Sequence, residues 1–286
     1  MRLEKNQIMA SVNSKIRDFV KPILFRLMGK NGYKYAQMYG KIKYIRERLV
    51  EEKEMELLPF LVKSGDEVID VGANYAYYIE RLSKLVGDTG RVYAFEPIPF
   101  THDVCKMIVN KLGFKNVSLY NLGVADKNGT VDFSVPKLDF GGISAGQSHI
   151  ADRDNTEIKG TEYYMFNDYE IVSCQIVSLD NHLTALKHVS FVKIDIEGAE
   201  FFALQGMRQL LDKFKPVILI EIQPSFLKGF DIDAESFRKY ILEDMGYQIY
   251  KYNATSKKLV SYDVPFDDDN YILIHKERIA EYNNLM

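Results

Sequence analysis

Lys193, Asp195 and Glu197 stand two residues apart in the stretch Val192-Lys193-Ile194-Asp195-Ile196-Glu197-Gly198-Ala199-Glu200. On a regular strand that spacing turns all three side chains to one face. A lysine and two carboxylates are costly to bury in a sheet unless they pair or reach its open end. The helical pattern from Gly198 to Phe214 puts Asp195 and Glu197 at or just past the strand's carboxyl end. A carboxylate with a raised pKa in that position can take a proton from an attacking hydroxyl, and a lysine beside it tunes it by charge. Glu200 has a simpler reading, as an acid in the first turn of a helix.

Such groups need a ligand site, and one is expected upstream. Glu67–Val71 reads as a buried strand, Gly72 as a tight turn, and Tyr75, Tyr78, Ile79, Leu82 and Leu85 as the apolar stripe of a helix. In an open parallel sheet, ligands bind at the carboxyl ends of the strands. Gly72 lets the backbone approach a bulky group, and the helix points its positive end at the same place. Asp70, Ala73 and Asn74 flank that turn. The next strand, Arg91–Glu96, ends in an acid placed to hold both hydroxyls of a ribose. After the third strand, Val117–Leu122, come Gly123, Val124 and Asp126, where an adenine would lie; Asp126-Lys127-Asn128-Gly129 reads equally as a hairpin turn. Asp70 to Glu96 is thus a nucleoside-binding unit. A single glycine stands where a dinucleotide fingerprint needs three, which weighs against a nucleotide-dependent oxidoreductase, the competing enzyme class.

Three blocks, Asp70-Val71-Gly72-Ala73-Asn74, Phe95-Glu96-Pro97 and Val192 to Glu200, together resemble the signature blocks of the FkbM family of S-adenosylmethionine-dependent methyltransferases. The likeness runs from about Ser64 to Ile222 and on toward His275. It implies a Rossmann-like, doubly wound, mostly parallel sheet with an antiparallel edge strand. It also implies S-adenosylmethionine as cofactor and transfer of a methyl to a hydroxyl, often of a sugar in a glycan, glycolipid or secondary metabolite. The family pattern has a second glycine where this chain has Ala76; its methyl is expected to narrow the methionine pocket. That substitution also keeps open a non-catalytic binding protein on the same fold.

The rest of the chain sets limits. With 286 residues, 47% hydrophobic and 27% charged, it accommodates one large α/β domain and an appendage. We expect a basic helical segment over 1–63 and the catalytic domain over 64–286. Residues 1–50 hold twelve basic residues against three acidic ones, whereas the whole chain carries −3, so the remainder is acidic and a poor partner for nucleic acid. Residues 14–28 read as a basic amphipathic helix carrying Pro22, suited to docking on the body, to a second subunit or to an anionic membrane surface. A second helix is expected over Lys34–Leu61, solvated from Glu47 to Glu56. No run is long enough to span a bilayer and no secretory signal is evident, which suggests a cytoplasmic protein, peripheral at the inner membrane face if the helix binds lipid. Cys105 and Cys174 read as half-buried hydrophobes of a reducing compartment.

Within the body, Thr130–Val135 and Ser173–Leu179 alternate as strands, Phe191–Ile196 and Pro216–Ile222 as buried strands, and Ala234–Met245 as a helix. Tyr247–Tyr250 and Tyr271–His275 suggest a closing hairpin. Residues 137–170, with their Gly, Ser, Asp and Asn, have no sustained period and read as a substrate loop or lid, with His149 a solvated histidine in it. Asp180, Asp195 and Glu221 all end strands and would hold Mg²⁺ if those strands were neighbours. We give this less weight than metal-free chemistry.

Overall fold

The computed structural model describes residues 15–138, 143, 148–156 and 168–286, and only the backbone of 15–21 and 24. Twelve strands are described: β1 (Glu67–Val71), β2 (Arg91–Phe95), β3 (Val117–Tyr120), β4 (Gly123–Val124), β5 (Gly129–Pro136), β6 (His149–Ile150), β7 (Tyr169–Val177), β8 (Val189–Ile194), β9 (Val217–Ile222), β10 (Tyr247–Asn253), β11 (Lys258–Ser261) and β12 (Asp269–His275). Eight form the main sheet, in the order β11-β10-β12-β9-β8-β1-β2-β3. The five from β3 to β9 run parallel, while β12, β10 and β11 pair antiparallel at the far side. All six residues of β8 are buried, as are the last four of β1, as expected of strands covered on both faces.

Helices close both faces. Tyr77–Val86 buries Ile79, Leu82 and Val86, and Pro99–Leu112 buries Val104, Cys105 and Ile108. Pro99 stands in the first turn, where its missing N–H costs nothing. The helix predicted over Gly198–Phe214 is two, Glu200–Gly206 and Arg208–Phe214. Met207 separates them at φ −123°, and beside it Gly206 packs so closely that a Cβ would lie 1.8 Å from the Ala125 carbonyl oxygen. The expected closing hairpin is also different. β10 and β12 do pair, Tyr247 opposite His275, but the hairpin is β10–β11, and β12 inserts between β10 and β9.

The N-terminal segment departs furthest from expectation. One helical run spans Lys15–Arg46, with Pro22 inside it and a kink at Gly29, whose φ is +65°. The chain then leaves the helix. Glu47–Glu56 is not a solvated helix, because its acids find partners on the body. Glu51 pairs with Arg81, Tyr78 Oη donates to Glu52 Oε2 at 2.7 Å, and Glu54 is buried. A short 3-10 turn, Lys53–Glu56, and a turn of α-helix, Leu58–Leu61, complete the entry to β1. Beyond the kink, Tyr33, Met38 and Ile42 are buried, and Lys34 Nζ meets Asp103 Oδ2 at 2.5 Å. That half docks on the body. Before the kink, Ile23, Leu27 and Met28 are exposed. Among the described residues no helix is long and apolar enough to cross a membrane.

A second sheet, ordered β4-β7-β5-β6, stands over the carboxyl ends of the main one. It takes in both strands expected near 130 and 173. Much of the region expected to be a substrate loop lies outside the described residues, but His149–Ile150 is strand β6, paired with β5.

Candidate functional site

The strand order reverses at β1. β2 and β3 lie to one side and β8 and β9 to the other, so the crevice beyond the carboxyl ends of β1 and β8 is the topological switch point where such sheets bind ligands. A cavity of about 420 Å³ lies there, roofed by the second sheet. Gly72, Asn74, Glu96, Gly123, Val124, Asp126, Asp195 and Glu197 all line it. The sequence had placed these eight residues in one site, and the fold brings them together. Asp70, Ala73 and Lys193 are not on its wall. They lie behind it in the buried interior.

Gly72 is fixed by its neighbour. Its φ is +84°, and a Cβ there would stand 2.0 Å from the Asp195 carbonyl oxygen, so a glycine is required where β1 and β8 part. Asn74 follows with φ +47°, and its N–H donates to Glu96 Oε2 at 2.9 Å. Glu96 Oε1 accepts from Ile98 N–H at 3.0 Å. Both backbone bonds favour the carboxylate, yet burial outweighs them and pushes Glu96 up to about 7. Ala76 is the last residue before the Tyr77–Val86 helix, left-handed at φ +65° and fully buried in the core. It is not among the residues that line the cavity.

Behind the wall, Asp70 and Lys193 are register neighbours on β1 and β8. Neither oxygen of Asp70 accepts a hydrogen bond among the described residues, and burial raises it to about 6. Lys193 Nζ donates to Asp195 Oδ2 at 3.0 Å and to the Gly72 carbonyl at 3.3 Å, 5.1 Å from the centre of the Tyr78 ring. Burial alone would lower this lysine, but the charges of Asp195 and Asp70 hold it above its ordinary value.

The expected alternation through Glu197 does not hold. β8 ends at Ile194, and Glu197 has a left-handed φ of +59°, so it reaches the cavity through a turn. Glu200 fixes that turn, its Oε1 accepting from Ile196 N–H and Gly198 N–H at 3.1 Å each. Glu200 is also the acid in the first turn of the helix Glu200–Gly206, as expected, and this local role adds to that one. Gly198, at φ +103°, packs so closely that a Cβ would lie 2.8 Å from Phe226 Cβ. Burial, then the charge of Asp195, lifts Glu197 to about 8 against the opposing pull of Arg153.

Arg153 was not legible in the sequence. It is buried, its Nη1 donates to the Glu197 carbonyl at 2.7 Å, and its guanidinium lies 4.4 Å over the Phe226 ring. Its Nε donates to Asn155 Oδ1, and Asn155 Nδ2 lies 3.0 Å from His149 Nε2. His149 is buried rather than solvated. An arginine in an aperiodic polar stretch carries no sequence signal for such a role.

Two further expectations are corrected. Asp126 is exposed on the cavity wall, and the bend after it is no hairpin, since β4 and β5 both pair with β7 rather than with each other. Asp180 accepts from Gln209 N–H and Leu210 N–H at 2.9 Å each, capping a helix start. That separates it from Asp195 and Glu221, both on the cavity wall, so the proposed metal trio does not assemble.

Comparison with known proteins decides the family. The profile described as "Methyltransferase FkbM domain" matches residues 70–249. The chain belongs to the FkbM methyltransferase family. S-adenosylmethionine is its cofactor. Its likeness to the protein-L-isoaspartate O-methyltransferase of Methanocella arvoryzae is 30% identity over 59 residues, 21% of this chain and 31% of that protein. The matched stretch thus spans about a third of that relative. The crystal structure of methyltransferase FkbM from Methylobacillus flagellatus shares 15% identity at a TM-score of 0.47, over 91% of this chain and 59% of that one. A SAM-dependent methyltransferase from Aquifex aeolicus shares 20% at 0.38, over 78% and 87%.

The FkbM-type cavity fits that cofactor on its own evidence. Gly72 offers backbone where a side chain is sterically excluded. Glu96 is a buried carboxylate on the wall that would face the ribose hydroxyls, and Gly123 and Val124 line the same cavity where the adenine would lie. Among the described residues no group of three or more His, Cys, Asp or Glu is placed to hold a metal ion.

Proposed function

We propose that this protein transfers a methyl group from S-adenosylmethionine to a hydroxyl oxygen, that of a sugar in a glycan, a glycolipid or a secondary metabolite. One observation carries the reading. Glu197 and the Lys193-anchored Asp195 face the same cavity as Glu96 and the Gly72 backbone. S-adenosylmethionine supplies a methyl on a positively charged sulfur, an electrophile that needs no covalent help from the protein. The chain's task is then to orient an acceptor oxygen and remove its proton. Good orientation alone is worth several kcal/mol of barrier. Asp195, fixed by Lys193, orients the hydroxyl. Glu197, at about 8, has the proton affinity a base needs near neutral pH.

The wall also selects by charge. Among the described lining residues, Asp126, Asp152, Asp195 and Glu221 face it, joined by Glu96 and Glu197 as these lose their protons near 7 and 8, with Lys127 as the cation. A cavity of that sign favours a cationic cofactor and disfavours phosphate-bearing acceptors, nucleic acid among them. A neutral polyhydroxyl acceptor fits.

The test is methyl transfer from isotope-labelled S-adenosylmethionine to a panel of neutral sugars, with the product ether located by mass spectrometry. Glu197→Gln should cut kcat by about 10²- to 10⁴-fold, and wild-type kcat should rise with pH as Glu197 loses its proton near 8. Methylation at nitrogen or carbon, or full activity in Glu197→Gln, would sink the assignment.

A further inference from the structure

We propose that a second cavity beside the first is a distal acceptor subsite, which holds another neutral sugar ring of the same acceptor. This rests on the reading of the acceptor as a glycan. The second cavity, of about 220 Å³, opens between the N-terminal helix, the start of the Pro99–Leu112 helix and the small sheet. Two observations join it to the first.

Strand residues two apart share a face. On β5, Val131 and Phe133 line the first cavity and Val135 lines the second; on β7, Ile176 lines the first and Val172 the second. One face of the small sheet therefore roofs both. Ile98 lines both as well, so a single side chain stands where the two cavities meet. On this proposal a chain of linked rings would run from the hydroxyl at Asp195 along this shared face, past Ile98, into the second space.

The chemistry of the second cavity selects its occupant. Pro99, Val135 and Val172 supply an apolar lining, suited to the C–H face of a pyranose. At the rim every cation has an acid beside it: Lys34 Nζ lies 2.5 Å from Asp103 Oδ2, and Lys30 Nζ lies 4.0 Å from Glu170 Oε1. An anionic group arriving there meets a carboxylate next to each lysine and gains little. Sugar hydroxyls donate and accept at once, and they use both members of each pair. An apolar lining with a few convergent polar groups is the usual make-up of a small-molecule site.

Length dependence tests this directly. With S-adenosylhomocysteine present, methyl glycosides of glucose, galactose, mannose and N-acetylglucosamine are titrated by NMR against the corresponding disaccharides. The sugar that binds should gain at least about tenfold in affinity on adding the second ring, a gain of 1.4 kcal/mol. The double variant Asp103→Ala/Glu170→Ala should lose that gain. So should Val172→Phe, which fills the cavity without touching the rim; thermal melts check that both variants fold. Monosaccharide binding with no gain on lengthening overturns the subsite alone, as does a gain that survives in both folded variants. If no glycoside of either length binds wild type, the glycan reading and the subsite fall together.

Discussion

Ala76 and Glu96, one after β1 and one after β2, illustrate how differently two residues near the site contribute. Ala76 is left-handed and fully buried, a conformation that costs an L-residue roughly 1–2 kcal/mol. Glycine would relieve that strain but gain entropy in the unfolded chain. Ala76→Gly should therefore shift stability by no more than about 1 kcal/mol and leave cofactor affinity unchanged, since Ala76 is off the cavity wall. Glu96→Ala should do the opposite. Its carboxylate accepts two backbone N–H groups and faces the cavity, so its loss removes the group proposed to hold the ribose and leaves those donors unpaired, at about 1–3 kcal/mol. Calorimetric titration with S-adenosylmethionine should show at least about a tenfold weaker Kd in Glu96→Ala and wild-type affinity in Ala76→Gly. Loss of binding in Ala76→Gly would restore this residue to the pocket.

At the level of elements, the parallel core was legible because its signals are local. Glu67–Val71, Arg91–Phe95 and Val217–Ile222 are apolar, β-branched runs bounded by turn residues, and they form within a residue or two of expectation. The eight lining residues followed from strand ends together with the family-like blocks around them. What stayed hidden depends on distant partners. Nothing in the sequence of Glu51, Glu52 and Glu54 announces Arg81, Tyr78 and Asn270, yet those contacts unwind the predicted second helix. Arg153 was missed and Asp180 given the wrong role for the same reason: each binds backbone far along the chain. Contacts therefore cross the division at residue 63. A chain starting at Ser64 would lose the buried Tyr33, Met38, Ile42, Met55 and Leu58, and would strip Tyr78 Oη and Asn270 Nδ2 of their acceptors. That chain should melt at least about 5 °C below the full one, a loss of a few kcal/mol at 2–4 °C each. An equal melting temperature would show the segment to be a mere appendage.

The molecule as a whole buries an unusual set of carboxyls, and stability should respond to pH in a direction they dictate. Glu54, Asp70, Glu96, Glu197 and Glu200 are raised to between about 6 and about 8, burial being the largest cause for each. A raised acid holds its proton longer folded than unfolded, so between the two pKa values the folded state binds more protons and stability falls as pH rises. The window opens near the ordinary carboxyl value of about 4 and closes near 8, where Glu197 titrates. Acids with lowered values, Glu67 and Asp267 among them, act below that window, where their contribution disappears as pH falls. Stability should therefore peak at mildly acidic pH, and a melt at pH 5.5 should exceed one at pH 8.5 by several degrees. The carboxyls on the cavity wall make the slope dependent on ligand. A bound cation there favours ionised Glu96 and Glu197, so saturating S-adenosylmethionine should raise the melting temperature more at pH 8.5 than at pH 5.5. S-adenosylhomocysteine, which lacks the positive charge, should raise it more evenly across the range. An equal pH dependence with the two ligands would mean that the sulfonium lies out of reach of these carboxylates, and the base would then have to be sought on another part of the wall.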